Sequence, residues 1–144
     1  MRVEKLTTKF QEALSDAQTL VLGADQAYIE PAHLMVAMLR QTDWPQSLLM
    51  RAGVVVPALL QDAQQMMARY PQVQGQDQVQ VGRELVGVIQ AAEKEGLKRK
   101  DQYIASELFF LALADHKGDA GQLVRKHGLA RSSLEAAIEA VRGG

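Results

Sequence analysis

The side chains best suited to chemistry are three histidines, and their spacing does not form a site. No two of His33, His116 and His127 lie four residues apart, and no His-Glu-x-x-His run is present. A zinc hydrolase uses that spacing because two ligands must share one face of a helix. The chain also has no cysteine, which excludes thiol nucleophiles, disulfides and zinc ribbons. We therefore expect each to be a structural or surface histidine, and we expect a neutral His33 because it lies near a predicted helix start.

Other catalytic and cofactor motifs are also absent from the sequence. There is no Gly-x-x-x-x-Gly-Lys-Ser/Thr loop to cradle the phosphates of ATP, and no serine has the Gly-x-Ser-x-Gly context of a hydrolase nucleophile. We expect this segment to have no catalytic residue, no cofactor and no metal ligand. It is therefore not expected to be an enzyme.

Length and charge narrow the class of protein further. The 144 residues carry a net charge of -1, so we expect one domain over residues 1–144 with no general affinity for nucleic acid or anionic membranes. No apolar run approaches the roughly 18 residues that span a bilayer, and the polar N-terminus does not resemble a signal peptide. Together with the absence of cysteine, these features favour a cytoplasmic location.

Two charged features remain as candidate binding elements. Residues 94–101 form a charged turn, which is either a solvated helix end facing the helix dipole or the lip of a binding site. Glu107 falls in the first turn of a predicted helix. It either stabilises that helix start as an exposed charge, worth about 0.3–1 kcal/mol, or holds a partner or the neighbouring N-terminal segment.

The elements that position these residues form an internal repeat. Residues 6–67, shifted by 75, align without a gap on residues 81–142. A duplicated helical unit is typical of a packed scaffold with a shared interface. The matched positions include Tyr28 with Tyr103, Ala37 with Ala112, Leu48 with Leu123, Gly53 with Gly128 and Leu59 with Leu134.

Apolar residues recur with a helical period in both copies, and no alternating run predicts a strand. We predict an all-α fold of eight helices in two four-helix repeats with pseudo-two-fold symmetry. Repeat one covers residues 1–70, a polar linker covers 71–80, and repeat two covers 81–144. The helices are predicted at 8–22, ended by Gly23; from Pro31; from Trp44-Pro45 to Gly53; from Pro57; from about 82 to 96–98; from near Ser106; over 122–127, ended by Gly128; and after Ser132-Ser133.

Several motifs, spread over both repeats, resemble a known family. They are Leu6-Thr7-Thr8-Lys9-Phe10 and Ile29-Glu30-Pro31 in the first repeat, and Asp101-Gln102-Tyr103-Ile104-Ala105-Ser106-Glu107-Leu108-Phe109 in the second. These motifs are similar to the double Clp repeat of the Clp N-terminal domain family. The residues at 70–75 and 142–144 resemble its ClpB branch.

The resemblance implies a function for the segment. Members of the ClpB branch are cytosolic hexameric AAA+ disaggregases that use ATP and magnesium and work with the DnaK chaperone system. The segment would be their mobile N-terminal domain, which captures exposed apolar segments of unfolded or aggregated polypeptides and passes them to the AAA+ rings of the same chain. Two alternatives stay open: an adaptor-docking domain, as in the ClpA and ClpC branches, and a purely structural interaction domain.

The resemblance also implies a set of substrate-binding residues. Thr7, Asp101 and Glu107 match polar positions that the family ties to chaperone activity. Ala91, Glu95 and Leu108 match its apolar groove, and Leu108 alone is a large apolar residue. Glu95 places a charge where the family pattern has an apolar residue. We therefore expect a groove next to Leu108 that is either shallower than in the family, or accepts basic-hydrophobic segments, or has its centre elsewhere.

Overall fold

The helices of a computed structural model follow the predicted pattern. The structure describes residues 2–42, 45–75 and 78–143, and within these ranges it contains eight α-helices, so the predicted all-α architecture is confirmed. The predicted start of the third helix at Trp44 lies outside the described residues. The helices are α1 (Thr8–Gly23), α2 (Pro31–Leu39), α3 (Gln46–Arg51), α4 (Val56–Ala68), α5 (Arg83–Lys98), α6 (Ser106–Asp115), α7 (Asp119–Lys126) and α8 (Arg131–Arg142).

The first two helices of repeat one begin and pack for reasons that are visible in the sequence. The Thr7 hydroxyl accepts a hydrogen bond from the Phe10 amide at 3.3 Å and so caps the start of α1. Pro31 opens α2, where its missing N–H costs nothing. The buried side of α1 has the predicted period of three to four residues: Phe10, Ala13, Leu14, Ala17 and Val21.

The two repeats match at the level of individual backbone angles. The left-handed residues Asp25 (φ 56°) and Lys100 (φ 59°) are 75 positions apart, as are Gly53 (φ 96°) and Gly128 (φ 88°). Both predicted glycine stops at 53 and 128 are therefore confirmed. The prediction for Gly23 is wrong, because α1 includes Gly23 and the left-handed turn falls at Asp25.

Two short backbone pairings connect the repeats, although the sequence predicted no strand. Strand β1 (Tyr28–Ile29) pairs in parallel with β2 (Gln80–Val81), and Leu6 forms an isolated parallel bridge with Ile104. A shift of 75 carries Leu6 onto Val81 and Ile29 onto Ile104. The extended segment before the first helix of each repeat thus pairs with the other repeat, which is consistent with the predicted pseudo-two-fold symmetry.

The core is built around α2 and α6. All nine residues of α2 are buried, and α6 is buried except for Asp115. Helices that are apolar on every side belong inside a fold, which explains the central position of these two. The rings of Phe10 and Phe109 meet edge to face at 6.3 Å and join α1 to α6 across the repeats.

The polar segment after repeat one is fastened to the fold at several points. Val73 N–H donates to Asp25 O at 2.7 Å, and Gln80 N–H donates to Ala27 O at 3.1 Å. Residues 72–75 are exposed, and Gln80 belongs to β2. The division into repeats at 1–70 and 81–144 stays a prediction. Among the helices of the described ranges, none combines the length and apolar character needed to cross a membrane.

Candidate functional site

Thr7 pairs with the backbone of Ile104 at the bridge between the repeats, and Leu108 lies with Ile104 next to Gly96. Thr7 N–H donates to Ile104 O at 3.0 Å, and Ile104 N–H donates to Lys5 O at 2.7 Å. On α5, a side chain at Gly96 would collide with Ile104 Cδ1 and touch Leu108 Cδ1, at 2.6 and 3.5 Å from its Cβ. Glycine therefore lets α5 approach this bridge closely.

Asp101 and Glu107 are brought together by Arg142, the last residue of α8. Arg142 Nη1 donates to both carboxylate oxygens of Asp101 at 3.0 Å, and Nη2 donates to Glu107 Oε2 at 3.1 Å. We call these three residues the Arg142 clasp. Such charge-assisted bonds from one planar guanidinium fix geometry as well as charge. The clasp ties the end of α8 to the start of α6.

The expectation that Glu107 is exposed is wrong. Only 4% of Glu107 is accessible, and its hydrogen-bond partner is Arg142 and not the N-terminal segment. Its second oxygen, Oε1, is buried without a hydrogen-bond partner in the described part of the chain. The reason is the packing of α8 over this helix start, a contact between residues 35 positions apart.

Glu95 of α5 forms a second ionic cluster with Arg99, which follows α5, and with Arg131 of α8. Its Oε1 accepts hydrogen bonds from Arg131 at 2.7 Å and from Arg99 at 2.9 Å. Arg131 also binds Asp115, and Arg99 reaches Glu135. The bond from Arg131 lowers the pKa of Glu95 against the opposing effect of burial, with help from Arg99. The charged turn at 94–101 is therefore engaged with α8 and is not simply a solvated helix end.

The predicted apolar groove is not open in this structure. Leu108 has no accessible surface because it lies on the inner side of α6, Glu95 is 8% accessible, and Ala91 is exposed on α5. The expectation that Leu108 presents an apolar surface is therefore wrong for this conformation. Direct contact of Thr7, Ala91, Glu95, Asp101, Glu107 or Leu108 with a substrate stays a prediction.

The accessible surface next to Thr7 is a shallow depression. It has a volume of about 300 Å³ and lies between the N-terminal segment, the start of α1 and the half-exposed ring of Tyr103. Sequence reasoning did not propose Tyr103 as a surface residue, although its match with Tyr28 at a shift of 75 marked it. The lining residues are Glu4, Leu6, Thr7, Thr8, Gln11 and Tyr103.

His33 is part of a buried hydrogen-bond chain in repeat one. Its Nδ1 accepts from Glu30 N–H at 2.9 Å, so Nε2 carries the proton and donates to Gln26 Oε1 at 2.6 Å. Gln26 Nε2 in turn donates to Met67 O and Tyr70 O. Burial lowers the pKa of His33 to about 4, which confirms the predicted neutral imidazole.

The other two histidines bind single carboxylates. His116 Nε2 lies 2.7 Å from Glu84 Oε1, and His127 Nε2 lies 2.7 Å from Asp62 Oδ2. Within residues 2–42, 45–75 and 78–143, no group of three or more His, Cys, Asp or Glu side chains is placed to hold a metal ion.

Comparison with known sequences gives a match over most of the chain. The model of the Clp repeat (R) N-terminal domain family matches residues 5–127. The chaperone protein ClpB of Vibrio cholerae serotype O1 is 42% identical over 146 aligned positions, which cover 100% of this chain and 17% of that protein. The chain thus spans about a sixth of the length of this curated relative.

Comparison with solved structures shows the same fold at low sequence identity. The N-terminal domain of Hsp104 from Candida albicans is 18% identical, with a TM-score of 0.82 over 96% of this chain and 92% of that one. The N-domain of ClpV, solved in complex with a VipB peptide, is 20% identical, with a TM-score of 0.75 over 95% of this chain and 86% of that one.

Proposed function

Because the chain belongs to the Clp repeat N-terminal domain family, we propose that it is the substrate-binding N-terminal domain of a ClpB-type protein disaggregase. In this proposal it captures exposed apolar segments of unfolded or aggregated proteins and passes them to AAA+ rings. The observation that carries the proposal is the 42% identity to a ClpB chaperone over the full length of this chain.

The proposal includes several statements about the longer protein. The AAA+ rings would bind ATP and magnesium, the DnaK system would act through other domains, and the protein would work in the cytoplasm. The segment itself would have no enzymatic activity and no cofactor, and it would bind neither nucleic acid nor membrane.

The shape of the surface favours weak binding. An extended segment that buries roughly 150–250 Å² of apolar area gains only about 4–6 kcal/mol. Ordering and association offset much of this gain, which puts the expected affinity of one domain between high-micromolar and millimolar. Several copies around one pore raise the effective concentration of captured segments. Weak capture also suits a substrate that must be released into a channel.

The proposal is tested by titrating the isotope-labelled chain with a permanently unfolded protein and following its amide resonances. We expect saturable shifts near Thr7, Ala91, Asp101 and Tyr103, and none from the folded form of the same protein. Shifts confined to the opposite face of the domain, or no shifts at millimolar concentration, would reject the proposed site.

Docking of a folded adaptor is the second candidate function. The ClpV N-domain shares this fold and was solved in complex with a VipB peptide, which favours recognition of one specific partner sequence. An adaptor would bind as one stoichiometric protein, whereas unfolded chains of unrelated sequence should compete with one another for the same residues. Competition between two unrelated unfolded proteins therefore separates the two functions.

A further inference from the structure

We infer that the buried position of Leu6 is a binding socket for an extended polypeptide, which the chain fills with its own N-terminal segment. Here the N-terminal segment means residues 2–7, and the Leu6 socket means the buried position at which Leu6 pairs with Ile104. The ligand is an extended segment with one aliphatic side chain in the place of Leu6. The inference rests on the proposed function and specifies the kind of segment that the site would bind.

The contacts of the N-terminal segment define what the socket recognises. Two hydrogen bonds, Ile104 N–H to Lys5 O and Thr7 N–H to Ile104 O, join main chain to main chain. Any extended sequence can form them, as in other cases where a peptide adds to an exposed strand. Leu6 is 2% accessible, whereas Arg2, Val3, Glu4 and Lys5 are exposed. Recognition thus needs a backbone and one aliphatic side chain.

The segment is held at few points. Val3–Lys5 form one 3-10 turn without a buried residue. Leu6 is also held by a 2.9 Å bond from Gln11 Nε2 to its carbonyl and by the packing of its side chain in the core. Thr7 lies at the boundary, since its N–H binds Ile104 while its hydroxyl caps α1. Residues 2–6 can leave the socket while Thr7 still caps α1, because the bond from Phe10 N–H to the Thr7 hydroxyl does not involve Ile104.

The corresponding position in the other repeat belongs to a longer backbone pairing, a two-residue ladder instead of an isolated bridge. Val81 pairs with Ile29, and Gln80 and Gly82 on either side also donate their N–H groups to β1 and its neighbour Ala27. A Cβ at Gly82 would lie 3.0 Å from the Ile29 carbonyl oxygen, so the backbones are in close contact there. Exchange is therefore expected at Leu6 and not at Val81, although the topology of the two sites is the same.

An occupied socket also explains why the predicted groove next to Leu108 is closed. Ile104 and Leu108 flank Gly96 of α5 and are buried while Leu6 is in place. The depression lined by Thr7, Gln11 and Tyr103 adjoins the segment and would receive the residues that flank the incoming aliphatic side chain. The apolar site is thus closed by the chain itself until another segment replaces Leu6.

The test measures binding of a fluorescent peptide with the sequence of residues 2–8 to the full chain and its variants by anisotropy. Removal of a side chain that fills a socket shifts such an equilibrium by about ten- to a hundredfold. We expect Leu6→Ala to bind the peptide at least about tenfold more tightly than the wild type. Val81→Ala is the matched control and should not change affinity. A peptide with Asp in place of Leu should not bind.

Equal affinities for Leu6→Ala and Val81→Ala would overturn the inference. If Leu6→Ala does not fold, Leu6→Val retains most of the packing and should still give a measurable gain; no gain would also overturn it. If the wild type is a dimer and the peptide dissociates it, the occupant of the socket is a second copy of the chain, and binding of a foreign segment is rejected. If Leu6→Ala binds the peptide but the wild type does not capture unfolded protein, the proposed function alone is rejected. If the wild type captures unfolded protein but Leu6→Ala does not bind the peptide, the socket alone is rejected.

Discussion

His33 and Leu108 occupy the same position in the two repeats, 75 residues apart, with different chemistry. Leu108 fills its place with apolar atoms, whereas His33 is wholly buried and bound to Gln26 and Glu30. Gln26 in turn matches Asp101 at the same shift. Gln26 donates to the main-chain carbonyls of Met67 and Tyr70, whereas Asp101 accepts from the side chain of Arg142. Repeat one therefore contains a titratable group at a position where repeat two has none.

The first prediction is that stability falls between about pH 6.5 and 4. His33 has a pKa of about 4 in the folded chain and 6.5 in a free histidine, so only the unfolded chain takes up this proton as the pH falls through that window. The stabilisation is complete above pH 6.5 and is lost toward pH 4. The difference corresponds to roughly 3 kcal/mol. Urea unfolding at a series of pH values measures it.

His33→Leu, which copies the residue of the other repeat, is the control for this prediction. Whatever its stability at pH 7, its unfolding free energy should depend less on pH in this window. Glu30 acts in the opposite direction, because burial and the nearby charge of Glu84 raise its pKa. An unchanged pH profile in His33→Leu would show that His33 is not responsible.

The outcomes at these residues show how far a sequence can predict a site. The position of His33 at a helix start predicts its neutral state, whereas the cause of its lowered pKa in the structure is burial. Exposure of Glu107 and Leu108 was predicted wrongly, because it depends on segments far away in sequence: α8 covers Glu107, and Leu108 faces the core. Helical periodicity locates a residue on its own helix but does not tell what covers it.

At the scale of elements, the two left-handed glycines connect α3 to α4 and α7 to α8. At φ values of 96° and 88°, any other residue is strained, while a Cβ at Gly53 would meet no atom within 4 Å. We predict that Gly53→Ala and Gly128→Ala each lower the unfolding free energy by about 1–2 kcal/mol. Thermal or urea unfolding of both variants measures this.

Gly87, in the middle of α5, provides the matched control for these substitutions. It is exposed, and a Cβ there would also meet nothing within 4 Å. Because a helix interior favours alanine over glycine, Gly87→Ala should stabilise the chain by about 0.5–1 kcal/mol. A similar sign for all three variants would contradict the assignment of strain to Gly53 and Gly128.

The Arg142 clasp leads to a prediction about coupling between α6 and α8. Arg142→Ala leaves the Glu107 carboxylate buried without a donor and should lower the unfolding free energy by about 2–3 kcal/mol, less than for a fully buried pair because Arg142 is partly exposed. Glu107→Gln removes the charge, so the double variant should lose about 1–2 kcal/mol less than the sum of the single ones. A double-mutant cycle by urea unfolding measures this.

The exposed pair of Lys9 and Glu12 is the control for the clasp. Its atoms are 3.8 Å apart, and both side chains are more than half accessible. Lys9→Ala should change stability by less than about 0.5 kcal/mol. Additive effects of Arg142→Ala and Glu107→Gln would show that the clasp does not couple the two helices.

Helices with a long periodic pattern could be predicted from the sequence. Strands that form by pairing with residues far away in the sequence could not. The helix α5 was expected from about 82 to 96–98 and spans Arg83–Lys98, because its apolar period is visible over four turns. Strands β1 and β2 have two residues each and give no periodic signal. Their existence depends on the contact between repeats, which only the folded chain contains.

At the scale of the whole molecule, the repeats depend on each other for their pairing partners. The bridge of Leu6 with Ile104 and the pairing of Ile29 with Val81 both cross from one repeat to the other, as does the contact between Phe10 and Phe109. Each repeat thus pairs its extended segment with the other repeat, as two subunits do in a symmetric dimer, but here both belong to one chain. Separation of the repeats would leave both extended segments unpaired and apolar side chains of the shared core exposed.

We therefore predict that neither predicted repeat folds as a monomer. Separate fragments 1–70 and 81–144 should have low helicity by circular dichroism at low concentration, since a chain of about 65 residues that loses half of its core is marginal. Mixing them at equal concentration should restore the helical signal of the intact chain in a concentration-dependent way, because folding and association are then linked. Sedimentation of the mixture should show one complex of the two fragments. Cooperative unfolding of either fragment as a monomer would show instead that the crossing pairs are dispensable and that each repeat is an independent domain.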